Sequence, residues 1–447
     1  MSGFPSFLPG VWRTQGYNKI FELDEQGFTI YDLCAVSCVP AASGTPEEFM
    51  RVFDRLENPA PGQISLYARG GITRYTLERL NDGAPAELLC AGRERAADPR
   101  FNFEVFWRYF QENYAFFELR GMDWEAVYRT WLPRIDDHTT PEELLEIFRH
   151  ILVQLDDSHA TLQAGEKEIS TKRPHALVRH WQQEFDSTEF LGLYARGIPR
   201  LHAEIQARVL DGKGRSALQG QLLWGRLRPD VGYMALFSLM DIYGGFDQLH
   251  FAGFEVVNPV YLQALEGALD EVQADLGGMK TILLDVRFNL GGHDGAGLAV
   301  ARRFAGRATP AFTKQARWGG GFTAPQTVVV PPAAGEPFSS RVGLLTSAAT
   351  ASAAEVLVHG MMALPQVLRI GGATRGVLSD MLLMRLPNGW QVSLSNEMYR
   401  AADGNCYEGR GVPPQVEAVT FVEPGFYESL DQTILQALDA PGLRSEP

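Results

Sequence analysis

Residues 10–92 alternate apolar and polar side chains in short runs, as in Tyr17-Asn18-Lys19-Ile20-Phe21-Glu22-Leu23, Phe28-Thr29-Ile30-Tyr31-Asp32-Leu33 and Ile64-Ser65-Leu66-Tyr67-Ala68. Gly, Pro and Asp separate the runs, which predicts a small antiparallel β domain. After Ala96-Ala97-Asp98-Pro99 the period lengthens to that of a helix. Aromatic residues at Phe101, Phe103, Phe106, Trp107, Tyr109, Phe110, Tyr114, Phe116 and Phe117 read as core rather than as a ligand cage. Two more helices follow, over 123–135 and from Thr140 to Leu155, the second with Thr140 as N-cap and Pro141 at its first position. These make a three-helix unit ending at His159. From about residue 200 strands and helices alternate: strands at 205–210, 221–227 and 232–237, a helix at 258–275, a strand at 281–286, a helix after Gly295, a strand at 342–345 and a helix at 353–362. Such alternation predicts an α/β core, and the expected domains are 1–95, 96–160 and 161–447.

A chain of 447 residues, 45% of them hydrophobic, can bury a large core and divide into two to four domains. With 40 Lys+Arg against 54 Asp+Glu the net charge is −14, which argues against a nucleic-acid surface, since phosphate binding needs clustered positive charge. Cys34, Cys38, Cys90 and Cys406 show neither metal-ligand spacing nor a dense disulfide framework. On one extended strand Cys34 and Cys38 would lie about 13 Å apart, too far to bridge. The four read as reduced packing residues, with a Cys38–Cys90 pairing left open. The N-terminus lacks a basic stretch followed by an apolar run, and no window holds 18 uninterrupted apolar residues. The expectation is therefore a cytoplasmic chain without a membrane span, a processed secreted form remaining an alternative.

The segment Thr346-Ser347-Ala348-Ala349-Thr350-Ala351-Ser352-Ala353-Ala354-Glu355 lies between the apolar run Val342-Gly343-Leu344-Leu345 and the apolar Val356-Leu357-Val358. That layout is a buried strand, a turn of small residues and a helix. A serine at such a junction sits beside the free N–H groups of a helix N-terminus, where an oxyanion can be stabilised. Ser352 is thus a candidate nucleophile, although Ser or Thr there is often only an N-cap.

Three further segments join it: Leu155-Asp156-Asp157-Ser158-His159-Ala160-Thr161, Leu283-Leu284-Asp285-Val286-Arg287-Phe288-Asn289-Leu290-Gly291-Gly292, and Glu408-Gly409-Arg410-Gly411-Val412-Pro413-Pro414. Together the four resemble the tail-specific and tricorn-core group of serine peptidases, over roughly residues 100–425. The resemblance sharpens the α/β expectation to a crotonase-like ββα superhelical core. It also implies a Ser352 nucleophile, His159 as base, and Glu408 with Ser158 orienting His159. The oxyanion hole would come from the N–H of Ala353 and that of Gly291 or Gly292. Asp285, Arg287 and Asn289 read as a supporting polar framework, and Asn396, Glu397 and Tyr399 as braces of the Glu408 loop, with lining of the cleft as the alternative. Two departures narrow the comparison. The lysine base of the Ser-Lys type is absent from the equivalent segment Thr374-Arg375-Gly376-Val377-Leu378, and residues 163–230 show no pattern for a PDZ domain. Relatives of the tricorn-core and retinoid-binding-protein-like branch are the nearer comparison.

The reaction so implied is hydrolysis of extended or unfolded peptides by an endopeptidase or carboxyl-end-directed peptidase, with no metal and no organic cofactor. The partner is the peptide substrate; the oligomeric state is not set by the sequence. A non-catalytic apolar-ligand or peptide-binding protein on the same scaffold is the alternative, and no CoA-binding pattern supports a crotonase-type acyl-CoA enzyme.

Overall fold

The computed structural model describes residues 4–80, 95–171, 174–188, 190–243, 250–422 and 425–443. The N-terminal runs form a seven-stranded antiparallel sheet of β1 (Gly10–Thr14), β2 (Lys19–Leu23), β3 (Phe28–Cys34), β4 (Ser37–Gly44), β5 (Phe53–Ala60), β6 (Gln63–Ala68) and β7 (Arg74–Arg79), in the order β4-β3-β2-β1-β7-β6-β5. A helix, α1 (Pro46–Val52), joins β4 to β5. Inward-facing Phe21, Ile30, Leu66 and Leu77, with Phe49 of α1, are fully buried. Cys34 and Cys38 do not share a strand: the hairpin turn falls between them, pairing Leu33 with Cys38 and Cys34 with Ser37. Cys34 and Cys406 are free thiols. Cys38 is engaged in a disulfide, which corrects the reading of all four cysteines as reduced. The Cys38–Cys90 pairing falls on Cys90, outside the described residues.

The helical unit comprises α2 (Pro99–Asn113), the single turn α3 (Phe117–Arg120), α4 (Trp124–Trp131) and α5 (Pro141–Leu155). The helix expected over 123–135 tightens to a 3₁₀ turn at Leu132–Arg134, where Pro133 has no N–H to continue the ladder. α5 begins at a capping box: Thr140 N donates to Glu143 Oε2 at 2.9 Å and Glu143 N to Thr140 Oγ1 at 3.3 Å. We expect Thr140→Ala to cost about 1 kcal/mol, read as a lower midpoint in chemical denaturation at unchanged slope. α5 stops at Asp156, which takes the left-handed conformation at φ 51° and turns the chain into the Asp157–His159 segment.

Residues 161–217 hold the hairpin β8 (Thr161–Ala164) and β9 (Lys167–Ser170), the helices α6 (Ala176–Phe185) and α7 (Phe190–Arg208), and the short strand β10 (Arg215–Ala217). The strand expected at 205–210 is overturned: its first residues close α7. The alternation around Ile205 is outweighed by helical spacing, since Leu201 and Ile205 are both fully buried, one turn apart, in a cluster with Trp181.

The main sheet follows: β11 (Leu222–Arg228), β12 (Val231–Leu236), then the short strands β13 (His250–Phe251) and β14 (Phe254–Glu255), α8 (Pro259–Leu276), β15 (Thr281–Asp285), α9 (Asp294–Arg302), β16 (Thr309–Trp318), β17 (Gly321–Phe322), β18 (Gln326–Val330), β19 (Arg341–Thr346), α10 (Ala353–Met362) and β20 (Val367–Gly371). The chain goes on through β21 (Met381–Arg385), β22 (Gln391–Ser395) and β23 (Glu397–Ala401), returns to the main sheet with β24 (Val416–Glu417) and ends in α11 (Leu430–Leu438). The sheet order is β10-β11-β12-β15-β19-β20-β24, parallel from β12 onward. Its central strands are buried on both faces, hence their near-continuous apolar runs. Side chains of α8, α9 and α10 such as Leu265, Val300 and Leu357 cover one face. Leu177, Leu201 and Ile434 from α6, α7 and α11 cover the other. β22 pairs with β8 on one side and β21 on the other, so the β8–β9 hairpin carries the segment after His159 back to the core. Among the described residues no helix is long and apolar enough to cross a membrane.

Candidate active site

The site is built where β15 and β19 end side by side. In parallel sheets the loops leaving the carboxyl ends of strands can present polar groups without breaking the ladder. After β15 the chain runs Val286–Gly292, and after β19 it runs Ser347–Ser352 into α10. The two loops are stitched together: Ser347 Oγ donates to Arg287 O at 2.5 Å, Thr350 Oγ1 to Val286 O at 2.8 Å, and Ala351 N to Asn289 O at 3.0 Å. Below them Arg287 and Asp285 form a fully buried ion pair, joined by Tyr233 OH, which donates to Asp285 at 2.7 Å.

Ser352 caps α10 with φ 55° and ψ −127°. Such a backbone is sparsely populated for a residue with a Cβ and persists only where neighbours over-determine it. One neighbour is Gly291, at φ 104°. A Cβ there would lie 2.8 Å from Ser352 Cβ, Ala351 O and Ala353 N, so only glycine lets the two loops meet this closely. Gly291 N donates to Asn289 Oδ1 at 2.8 Å. The O of Gly291 and the N–H of His293 are engaged by Leu239, at 2.9 and 3.0 Å. The N–H groups of Gly292 and Ala353 take part in no hydrogen bond among the described residues, Ala353 because it is the first residue of α10.

The Gly376–Ser379 strap connects the remaining groups. Ser352 N donates to Val377 O at 3.0 Å. Two positions on, Ser379 O lies 2.5 Å from His159 Nδ1. This contact places the imidazole proton on Nδ1 and the lone pair on Nε2. His159 is further fixed by its amide, which donates to Asp157 Oδ1 at 2.9 Å, and by its carbonyl, which accepts from Ser393 Oγ at 2.7 Å. Glu408 Oε2 accepts from Leu378 N at 2.8 Å and Ser379 N at 3.0 Å, so its carboxyl grips the strap that carries the His159 acceptor. Its Oε1 makes no hydrogen bond among the described residues and lies 3.9 Å from Arg120 Nη2, which is equally far from Asp157 Oδ2. Burial, then the charge of Asp157, pushes the Glu408 carboxyl up to about 8. Ser158 sits half-buried between Asp157 and His159.

Ser352, His159 and Glu408, separated by up to 249 positions, thus converge on one strap through Val377, Ser379 and the two intervening amides. The glycines of the Glu408 loop have a steric reason. A Cβ on Gly411 would fall 1.9 Å from Thr374 O, and one on Gly376 2.5 Å from Gly411 N.

Sequence reading missed Ser379, Arg120 and Glu355. Ser379 and Arg120 carry no local signal. Glu355, three residues after Ser352, fits the Ser-x-x-Glu spacing of a helix start. Of the three residues expected to brace the Glu408 loop, Glu397 reaches the strap that Glu408 grips, and Tyr399 reaches Glu397. Glu397 N donates to Ser379 Oγ at 3.0 Å, and its carboxylate accepts from Tyr399 OH at 2.9 Å and pairs with Lys314 at 2.8 Å. Beside it stand Asp294 and Glu255, whose carboxyls are pushed upward by burial and then by neighbouring acidic groups, Asp380 foremost for Glu255, which rises to about 8.

Residues 249–418 match the profile of Peptidase family S41, and residues 95–152 that of the tricorn protease C1 domain. The class of protein that fold and motifs define is therefore a serine-type peptidase, a hydrolase. The resemblance to tail-specific and tricorn-core peptidases is borne out by both matches. Among solved structures the chain is similar to a putative peptidase from Parabacteroides merdae ATCC 43184, at 24% identity and TM-score 0.58 over 76% of this chain and 96% of that one. It is also similar to mature CPAF, at 10% identity and TM-score 0.53 over 77% and 98%. At such identities the likeness is one of fold. No curated protein matches the chain.

Proposed function

We propose that the chain hydrolyses extended or unfolded peptides with Ser352 as nucleophile and His159 as base, on a core of the crotonase-like type. The observation carrying this reading is the strap: Val377 O holds the turn of a strained serine, and Ser379 O, two residues later, holds an imidazole in the tautomer that leaves Nε2 as acceptor. His159 Nε2 takes the Ser352 hydroxyl proton as Oγ attacks the peptide carbonyl, then returns it to the leaving amine. Glu408 acts through the strap: by holding the Leu378 and Ser379 amides it sets the Ser379 carbonyl that orients the ring, and Ser158 lies in the same turn. The oxyanion rests on Ala353 N–H and Gly292 N–H. Gly292 is preferred to Gly291 because the Gly291 N–H is already committed to Asn289.

Digestion of a mixed library of unstructured peptides, followed by mass spectrometry, tests the reading. Wild type is expected to cleave between about pH 6 and 9, where enough of a histidine base is neutral to act, and His159→Ala to lose at least about 10³-fold in kcat/KM. Cleavage by His159→Ala at the wild-type rate removes His159 from the mechanism. Wild type inert across the whole range overturns the peptidase assignment of this site.

A further inference from the structure

Glu355 is fully buried in the first turn of α10 and takes no part in the reaction proposed above. Its carboxylate gathers four donors. Oε1 accepts from Thr374 Oγ1 at 2.6 Å and Gly376 N at 2.8 Å. Oε2 accepts from Val377 N at 2.8 Å and Ser352 N at 3.3 Å. We propose that Glu355 is a positioning residue for the Ser352 nucleophile, its carboxylate locking the turn at Ser352 to the strap that faces it. The proposal rests on the assignment of Ser352 as nucleophile.

The geometry makes Glu355 the inner half of a paired clamp. Of four consecutive strap amides, those of Gly376 and Val377 go to Glu355 and those of Leu378 and Ser379 go to Glu408. Each carboxyl therefore sets one carbonyl that matters. Glu355, through Val377, sets the acceptor of Ser352 N–H, and Glu408, through Ser379, sets the acceptor of His159. Ser352 N is bridged to Val377 twice over, directly through Val377 O and indirectly through Glu355, which closes a small ring around the residue with φ 55°.

A positive φ at a residue with a Cβ relaxes unless both sides of the turn are held. Relaxation would swing Oγ away from the Ala353 N–H, and a displacement near 1 Å costs on the order of 10²-fold in rate. A carboxylate offers about four acceptor sites, whereas an amide offers one oxygen and turns two N–H donors toward donors already present. Glu355→Gln, though the same size, leaves N–H groups of the strap unsatisfied in a site without room for compensation.

The test uses the full chain and a fluorophosphonate that labels an activated serine, with the labelled position read by mass spectrometry and kcat and KM measured on a cleaved peptide. Glu355→Gln is expected to lower both the labelling rate and kcat by about 10- to 100-fold per folded molecule, with KM nearly unchanged. Glu355→Asp, which keeps the carboxyl, should recover part of the loss. Thr374→Val, which removes one donor from Oε1, should lower both rates several-fold. A wild type that is not labelled at Ser352 overturns the nucleophile assignment itself. If wild type is labelled at Ser352 and Glu355→Gln matches its labelling rate while losing only thermal stability, the positioning role is overturned. Should Glu355→Gln fail to fold, wild-type labelling and kcat in Thr374→Val overturn it.

Discussion

Ser352→Ala is expected to reduce peptide hydrolysis by at least about 10⁴-fold while leaving the fold intact. Removal of the hydroxyl takes away the only atom proposed to bond to the substrate carbonyl, and what survives is the oxyanion site and binding alone. The fold should tolerate the change because the turn is held by main-chain hydrogen bonds that survive loss of the hydroxyl, whose own share is that of a helix cap, about 1 kcal/mol. The Ser352 backbone N–H donates to Val377 O and Glu355, and its carbonyl accepts from Glu355 N at 2.7 Å and Val356 N at 3.1 Å. A companion variant separates function from strain. Ser352→Gly should be equally inactive yet more stable than Ser352→Ala, by about 1 kcal/mol, because glycine adopts φ 55° without penalty. Equal stability of the two would mean the backbone here is not strained. Full activity in Ser352→Ala would move the nucleophile elsewhere.

How much of this was legible in the sequence varies with the range of the interaction responsible. α10, expected over 353–362, runs from Ala353 to Met362, because strand, small-residue turn and apolar helix are all local signals. α5 was equally readable from Thr140 and Pro141. The strand expected at 205–210 failed because six residues hold too few apolar positions to separate a period of two from one of 3.6; the spacing of Leu201 and Ile205 settles it only once Trp181 packs against them. The motif residues Ser352, His159 and Glu408 could be picked out one by one. Their meeting place could not, since the strap acts through main-chain groups of Val377, Leu378 and Ser379, and a carbonyl or amide leaves no mark in side-chain identity. The glycines were half readable: Gly-Gly after β15 announced a tight approach, but only the bond from Gly291 N to Asn289 distinguishes its role from that of Gly292.

Lys314→Met is expected to destabilise the protein by about 3–5 kcal/mol and to do so more at high pH. Lys314 is nearly fully buried, where its ammonium is held by Glu397, by Tyr399 OH at 3.0 Å and by Thr73 Oγ1 from the N-terminal sheet. Around it stand Glu255, Asp294, Glu397 and Asp380, so this one cation faces four carboxyls. Burial first, and then the repulsion among them, raises Glu255 to about 8 and Asp294 well above the usual carboxyl range. A carboxyl whose pKa is raised on folding binds its proton more tightly in the native state than in the unfolded one. Its contribution is therefore fully present below the unfolded value near 4.5 and is lost as pH rises through about 8 for Glu255. Wild-type stability should accordingly fall between pH 6 and pH 9, a slope to which Glu408, also raised to about 8, adds. Without Lys314 the ionised carboxylates lose their cation, while the protonated ones lose little, so the deficit of Lys314→Met against wild type should widen over the same interval. Denaturant unfolding of both proteins at pH 6 and pH 9 measures this directly. A deficit equal at the two pH values would mean that Lys314 contributes packing and hydrogen bonds rather than charge. A wild type growing more stable toward pH 9 would show that these carboxyls are ionised at neutral pH after all.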